Sequence, residues 1–217
     1  MTRPARRLGP ILVAIALLAL ATLYVVGCGR GEAEAAASAV AAVVPVGAAA
    51  PDFTLTDLAG KPHHLADLRG KVVVLEWFNP NCPFSRRHAE EGTMTRTAAA
   101  HSDVVWLGIN STGKKHGDFV TPDKQASYDK DHGITYPVLF DSDGKVGHAY
   151  GASTTPHMFV IDEQGKVIYR GAIDDDPYGR GKKRTNYVDA ALTAHAAGKP
   201  VQPASTTSYG CSVKYGR

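Results

Sequence analysis

Lys71–Ser85, K-V-V-V-L-E-W-F-N-P-N-C-P-F-S, decides how the rest of the chain is read. Val72–Phe78 is an apolar run broken only by Glu76, the pattern of a central strand buried on both faces. The polar Asn79-Pro80-Asn81 leaves the strand, Cys82 follows, and Pro83 suits a first helical turn, where its missing N–H costs nothing. A thiol in that position sits at the positive end of a helix, where the thiolate is favoured. Arg86, Arg87 and His88 come next and can add positive potential. An inert core thiol is the competing reading of Cys82, and the polar exit argues against it. Glu76 lies inside the strand, so its carboxyl must be paired or desolvated. Desolvation lifts a carboxyl pKa toward values useful for proton transfer.

Working outward, Asp52–Thr56 alternates like a strand, Gly60-Lys61 marks a turn, and His64-Leu65 opens a second short segment. Pro83–His101 reads as helix, kinked or split at Gly92, and Val104–Asn110 as the next strand. Thr121 with Pro122 at the first helical position starts a helix running to Gly133. Pro137–Phe140 is a short strand ending in the turn Asp141–Gly144. Met158–Asp162 and Lys166–Ala172 form a hairpin, and Asn186–Ala197 is the last helix. This order predicts an α/β fold: a mixed central sheet with helices on both faces.

Arg3, Arg6 and Arg7 precede an apolar run, Ile11–Val26, of the length expected for the core of a signal peptide. It ends in Val25-Val26-Gly27-Cys28, which resembles a bacterial lipobox, so Cys28 is the expected lipidation site. An uncleaved signal anchor is the alternative. The expected organisation is signal 1–27, an Ala/Gly-rich tether 28–50, a folded domain 51–199 and a flexible tail 200–217. The place expected for it is the cell envelope, with a lipid anchor in the membrane. The net charge of +3 is accounted for by the three signal arginines. The remainder is balanced, which gives no support to nucleic-acid binding. With Cys28 lipidated, Cys82 and Cys211 remain, an even pair compatible with an oxidising compartment.

The segments V-V-V-L-E-W-F-N-P-N-C-P-F, V-V-W-L-G-I-N-S, D-G-K-V-G-H-A-Y-G, T-T-P-H-M-F-V-I-D and G-A-I-D-D occur in order over roughly 50–199. Together they resemble the redoxin, or alkyl-hydroperoxide-reductase/thiol-specific-antioxidant, branch of the thioredoxin-like superfamily. The resemblance implies a thioredoxin-like fold with an N-terminal β-hairpin extension and no cofactor. It puts Cys82 at the attacking position and Glu76 at the buried acid. Pro156 falls on the cis-proline, after Thr155, whose backbone meets a substrate. Trp77 is a packing residue that can also line the thiol site.

Two positions depart from the pattern. Ser85 stands where C-x-x-C has its second cysteine, and a serine can hydrogen-bond a thiolate but cannot resolve a mixed disulfide. The peroxiredoxin pattern fails as well, with Leu75 at its proline and Asn79 at its hydroxyl position. Cys211, in the tail, is the candidate resolving cysteine, as in some peroxiredoxins; a solvent thiol or a contact for another protein is the alternative. The expected activity is thiol-disulfide exchange on a protein or small-molecule disulfide, reset by an external thiol. The alternatives are hydroperoxide reduction and a copper-binding module using Cys82 and His88, although no metal site is assigned.

Overall fold

The computed structural model describes residues 43–216. The signal-like segment 1–27 and Cys28 lie outside the described residues, as does most of the expected tether. The strands are β1 Thr54–Asp57, β2 Pro62–His64, β3 Val73–Trp77, β4 Val105–Asn110, β5 Val138–Phe140, β6 Thr154–Thr155, β7 His157–Ile161, β8 Val167–Gly171 and β9 Cys211–Ser212. Seven of them form a mixed sheet in the order β2-β1-β5-β4-β3-β7-β8, while β6 and β9 pair separately. In the middle, β3 runs parallel to β4 and antiparallel to β7. The expected hairpin, β1 with β2, joins the sheet through β5.

Every residue of β3 is buried, as the apolar run implies. Its period of two sends Val73, Leu75 and Trp77 to one face with Leu107, Ile109 and Phe159. Val74 goes to the other face with Trp106, Met158 and Val160. The helices are α1 Pro83–Glu90, α2 Thr93–Ala100, α3 Pro122–Asp131, α4 Lys145–Tyr150 and α5 Tyr187–Ala196. Met94 of α2 and Val188, Ala191 and Leu192 of α5 cover the second face. Tyr150 of α4 and Leu65 of a 3-10 turn cover the first. Gly92, at φ 61°, divides α1 from α2 in a conformation that a side chain would disfavour. Thr121 and Asn186 cap α3 and α5 by accepting backbone N–H groups.

Three expectations on organisation need correction. The domain starts before Pro51: Val44 is buried, Gly47 N–H donates to Val167 O at 2.7 Å, and Val167 N–H donates to Ala48 O at 2.9 Å. The cause is the free edge of β8, whose backbone groups need partners. A helix, α4, follows Asp141–Gly144, where only the turn is expected. It is short and contains Gly147, and the Asp141 carboxylate caps it by accepting from Val146 N at 3.2 Å and Gly147 N at 2.8 Å. The C-terminal tail is a packed strap rather than a free end. Arg170 N–H donates to Ala204 O at 3.1 Å and Thr206 N–H to Arg170 O at 3.0 Å, covering the rest of the β8 edge. The strap then crosses to β6, where Thr154 faces Ser212 and Thr155 faces Cys211.

Candidate active site

Cys82 is the N-cap residue of α1, in extended backbone with Pro83 at the first helical position. The turn before it is closed by Cys82 N–H donating to Asn79 O at 3.0 Å. The thiol is 4% exposed and donates to the Thr155 carbonyl at 2.9 Å. Thr155–Pro156 is a cis peptide bond, as the resemblance implies. Because β9 pairs with β6, Cys211 lies opposite Thr155, and the Thr155 hydroxyl donates to Cys211 O at 3.4 Å. The Cys211 side chain lies close enough to Cys82 for each to shift the other's titration, and both cysteines are free. The two sulfurs share a cavity of about 260 Å³.

Burial pushes the Cys82 thiol up. Hydrogen bonds from the Cys211 thiol, the Thr155 hydroxyl and the Ser85 backbone N–H outweigh it, so the pKa falls below the ordinary cysteine value. Cys211 moves the other way: burial, then its bond to Cys82 and the Cys82 charge, push it up to about 11. The first proton lost by the pair therefore leaves from the Cys82 side.

Glu76 sits on the second face of β3, 5% exposed. Tyr136 OH donates to its Oε2 at 2.8 Å and Trp106 Nε1 at 3.1 Å. Burial dominates those two bonds and pushes the carboxyl up to about 7. A small cavity behind α1 is bordered by Glu76, Ser85, His88 and Tyr136.

Several expected site residues stand elsewhere. Trp77 is fully buried in the first-face core, packs on Tyr150 and Phe159, and donates to Ser111 Oγ at 2.9 Å. Its place on β3 turns it away from the thiol, which corrects the substrate-binding expectation. Arg86 is exposed on α1 and is not among the groups that move the Cys82 thiol. Arg87, one residue on, is instead drawn into a buried polar cluster. Ser85 is buried and serves Cys82 through its backbone N–H, while its hydroxyl accepts from Asn79 N at 3.5 Å. His88 Nε2 lies 2.8 Å from Tyr209 OH, and burial with the neighbouring Arg87 pushes its pKa down to about 3. Among the described residues, no group of three His, Cys, Asp or Glu side chains is placed to hold a metal ion.

The residues missed from sequence are those that hold the strap. Tyr209 OH donates to Asp174, approaches His88, and accepts from Arg87 Nη2 at 3.3 Å. Tyr215 OH donates to Ala152 O, and its ring stacks on His148 at 3.9 Å between centroids. Their only sequence signal is the flanking of Cys211 by two tyrosines in an otherwise small, polar tail.

Residues 46–170 match the profile of the AhpC/TSA family. A curated relative, the thiol-disulfide oxidoreductase ResA of Geobacillus thermodenitrificans, is 34% identical over 124 residues, 57% of this chain and 67% of that protein. Among solved structures, an uncharacterized conserved protein from Geobacillus kaustophilus aligns with a TM-score of 0.73 at 29% identity, over 81% of this chain and 94% of that one. The thioredoxin domain of a thiol-disulfide oxidoreductase from Bacteroides vulgatus aligns with a TM-score of 0.51 at 21% identity, over 71% of this chain and 98% of that one, a likeness of fold alone.

Proposed function

The chain belongs to the AhpC/TSA family, and we propose that it performs thiol-disulfide exchange through Cys82, with Cys211 as the resolving sulfur. The observation that carries this reading is the β6–β9 pairing, which holds Cys211 against Cys82 and supplies intramolecularly what Ser85 cannot. The Cys82 thiolate attacks one sulfur of a substrate disulfide, breaks that bond and releases one thiol, leaving a mixed disulfide at Cys82. The charge on Cys82 has by then gone, and with it one of the influences that keep Cys211 protonated. Cys211 loses its proton and attacks the Cys82 sulfur, the second substrate thiol departs, and the Cys82–Cys211 bond closes. An external thiol resets the pair.

Glu76 is the proton carrier in this scheme. With a pKa of about 7 it is half ionised near neutrality, and it borders the cavity that Ser85 of the Cys82 helix also lines. Thr155 and the Ser85 N–H hold the thiolate. The hydroperoxide alternative is the weaker one. Asn79, at the hydroxyl position, spends its amide on Thr112 Oγ1 at 2.6 Å, on Asp118 O at 3.1 Å and on Asn81 N–H at 2.7 Å. The arginine-led apolar run before Gly27-Cys28 supports export with removal of residues 1–27, lipidation of Cys28 and a site of action in the cell envelope.

Counting released thiol tests the exchange. The reduced wild type should release two equivalents from a small disulfide, Cys211→Ala one equivalent with a stable mixed disulfide at Cys82, and Cys82→Ala none. Two equivalents from Cys211→Ala would contradict the resolving role.

A further inference from the structure

Building on the Cys82–Cys211 reading, we propose that the C-terminal strap sets the substrate class: with β9 seated on β6, the site takes a low-molecular-mass disulfide carrying both charges and excludes an extended polypeptide. A polypeptide reaching Cys82 along β6 would need the backbone edge of Ser153–Thr155. That edge is filled, with Thr154 facing Ser212, Thr155 facing Cys211, and Val213 N–H donating to Ser153 O at 3.0 Å.

The strap is fastened on both sides of Cys211. Tyr209 is held by Asp174, His88 and Arg87, and Tyr215 by Ala152 O and the His148 ring. Between Tyr215 and Cys211, Lys214 O accepts from Gly113 N–H at 2.8 Å. Gly210 allows the closest contact: at φ +124°, a Cβ there would stand 2.1 Å from Thr155 O. Displacing β9 means giving up this whole set at once.

What stays open beside Cys82 is the cavity of about 260 Å³, bordered by Asn81, Thr112, Asp118, Ser212 and Lys214. It is smaller than the ~300–1,000 Å³ typical of drug-sized sites. Lys214 and Asp118 both border it, the Lys214 ammonium donating to Ser212 Oγ at 2.8 Å, and the charges of both act on the Cys211 thiol. A disulfide of amino-acid size, with its own carboxylate and ammonium, matches both in charge and volume. The balance is two protein thiols and one disulfide in, one protein disulfide and two small thiols out.

The test compares second-order rates of first-thiol release on the fully reduced, full-length chain. One probe is cystine. The other is an extended decapeptide whose central cysteine is disulfide-bonded to free cysteine. Only attack on the peptide sulfur is scored, read by mass as the Cys82–peptide mixed disulfide formed while free cysteine leaves, so the leaving thiol matches that of cystine. Cystine should react at least about tenfold faster. In Tyr209→Phe/Tyr215→Phe, which keeps both rings but loses their hydroxyl bonds, the ratio should move toward the peptide. Equal rates or a peptide preference in the wild type would overturn the inference, as would an unchanged ratio in a folded double variant. In either of those cases Cys82 still exchanges, so the proposed function survives. Absence of thiol release from both probes would contradict the exchange reading and the inference with it.

Discussion

Glu76 joins a legible sequence feature to a measurable property. Below about pH 4.5 its carboxyl is neutral in the folded and the unfolded chain, whereas between 4.5 and about 7 only the unfolded chain gives up the proton. Stability from this group is therefore complete at low pH, falls as pH rises through that window and levels off above it. Glu76→Gln keeps an acceptor for Tyr136 and Trp106 and cannot ionise. Urea unfolding should show the variant gaining on the wild type across the window, by on the order of 3 kcal/mol at pH 8. Taking the difference cancels the titrating groups that do not act on Glu76; the charge of Asp129, itself pushed up to about 6 by burial, helps raise Glu76 and stays within the effect. Equal slopes would mean that the carboxyl is hydrated. At this scale Cys82 and Glu76 were readable because a strand, a polar exit and a proline fix their surroundings locally. Trp77 and Arg86 were misassigned because face and rotation about an element are decided by packing partners distant in the chain.

Single elements were legible where their signals lie within a few residues. The Thr121-Pro122 start of α3 and the break at Gly92 stand as expected, and α5 falls within the expected span 186–197. The α4 helix and the strap were not, since each is held by groups from elsewhere: Asp141 for one, β6, His88, Asp174 and His148 for the other. Gly210→Ala tests the strap as an element. The added methyl would collide with Thr155 O at a φ that disfavours side chains. The strap should lift, seen as faster alkylation of Cys82 by a bulky maleimide and faster proteolysis within 204–216 than in the wild type. Unchanged rates would mean that the strap is not what buries the thiol. At the other end, Val44 belongs to the core rather than to a tether. Val44→Ala should cost about 1–3 kcal/mol in chemical unfolding, whereas a tether residue would stay within about 0.5 kcal/mol.

For the whole molecule, the mixed sheet, its N-terminal hairpin and the helical layers on both faces were readable from the order of elements. How the two ends of the domain are used was not. Both supply partners to the exposed edge of β8, Gly47 and Ala48 at Val167, and Ala204 and Thr206 at Arg170. That placement aims the C-terminal segment across β6 and delivers Cys211 to Cys82. In the proposed scheme the fourth-position cysteine of the motif is replaced by Cys211, 129 residues after Cys82. The fold resembles that of a thiol-disulfide oxidoreductase with its second sulfur moved onto a strap. Non-reducing peptide mapping of the full chain after treatment with one equivalent of a small disulfide tests this most directly. The account predicts a Cys82–Cys211 linked peptide pair as the main product, with two small thiols released. Recovery of Cys211 as a free, alkylatable thiol beside a Cys82 mixed disulfide that persists would contradict it.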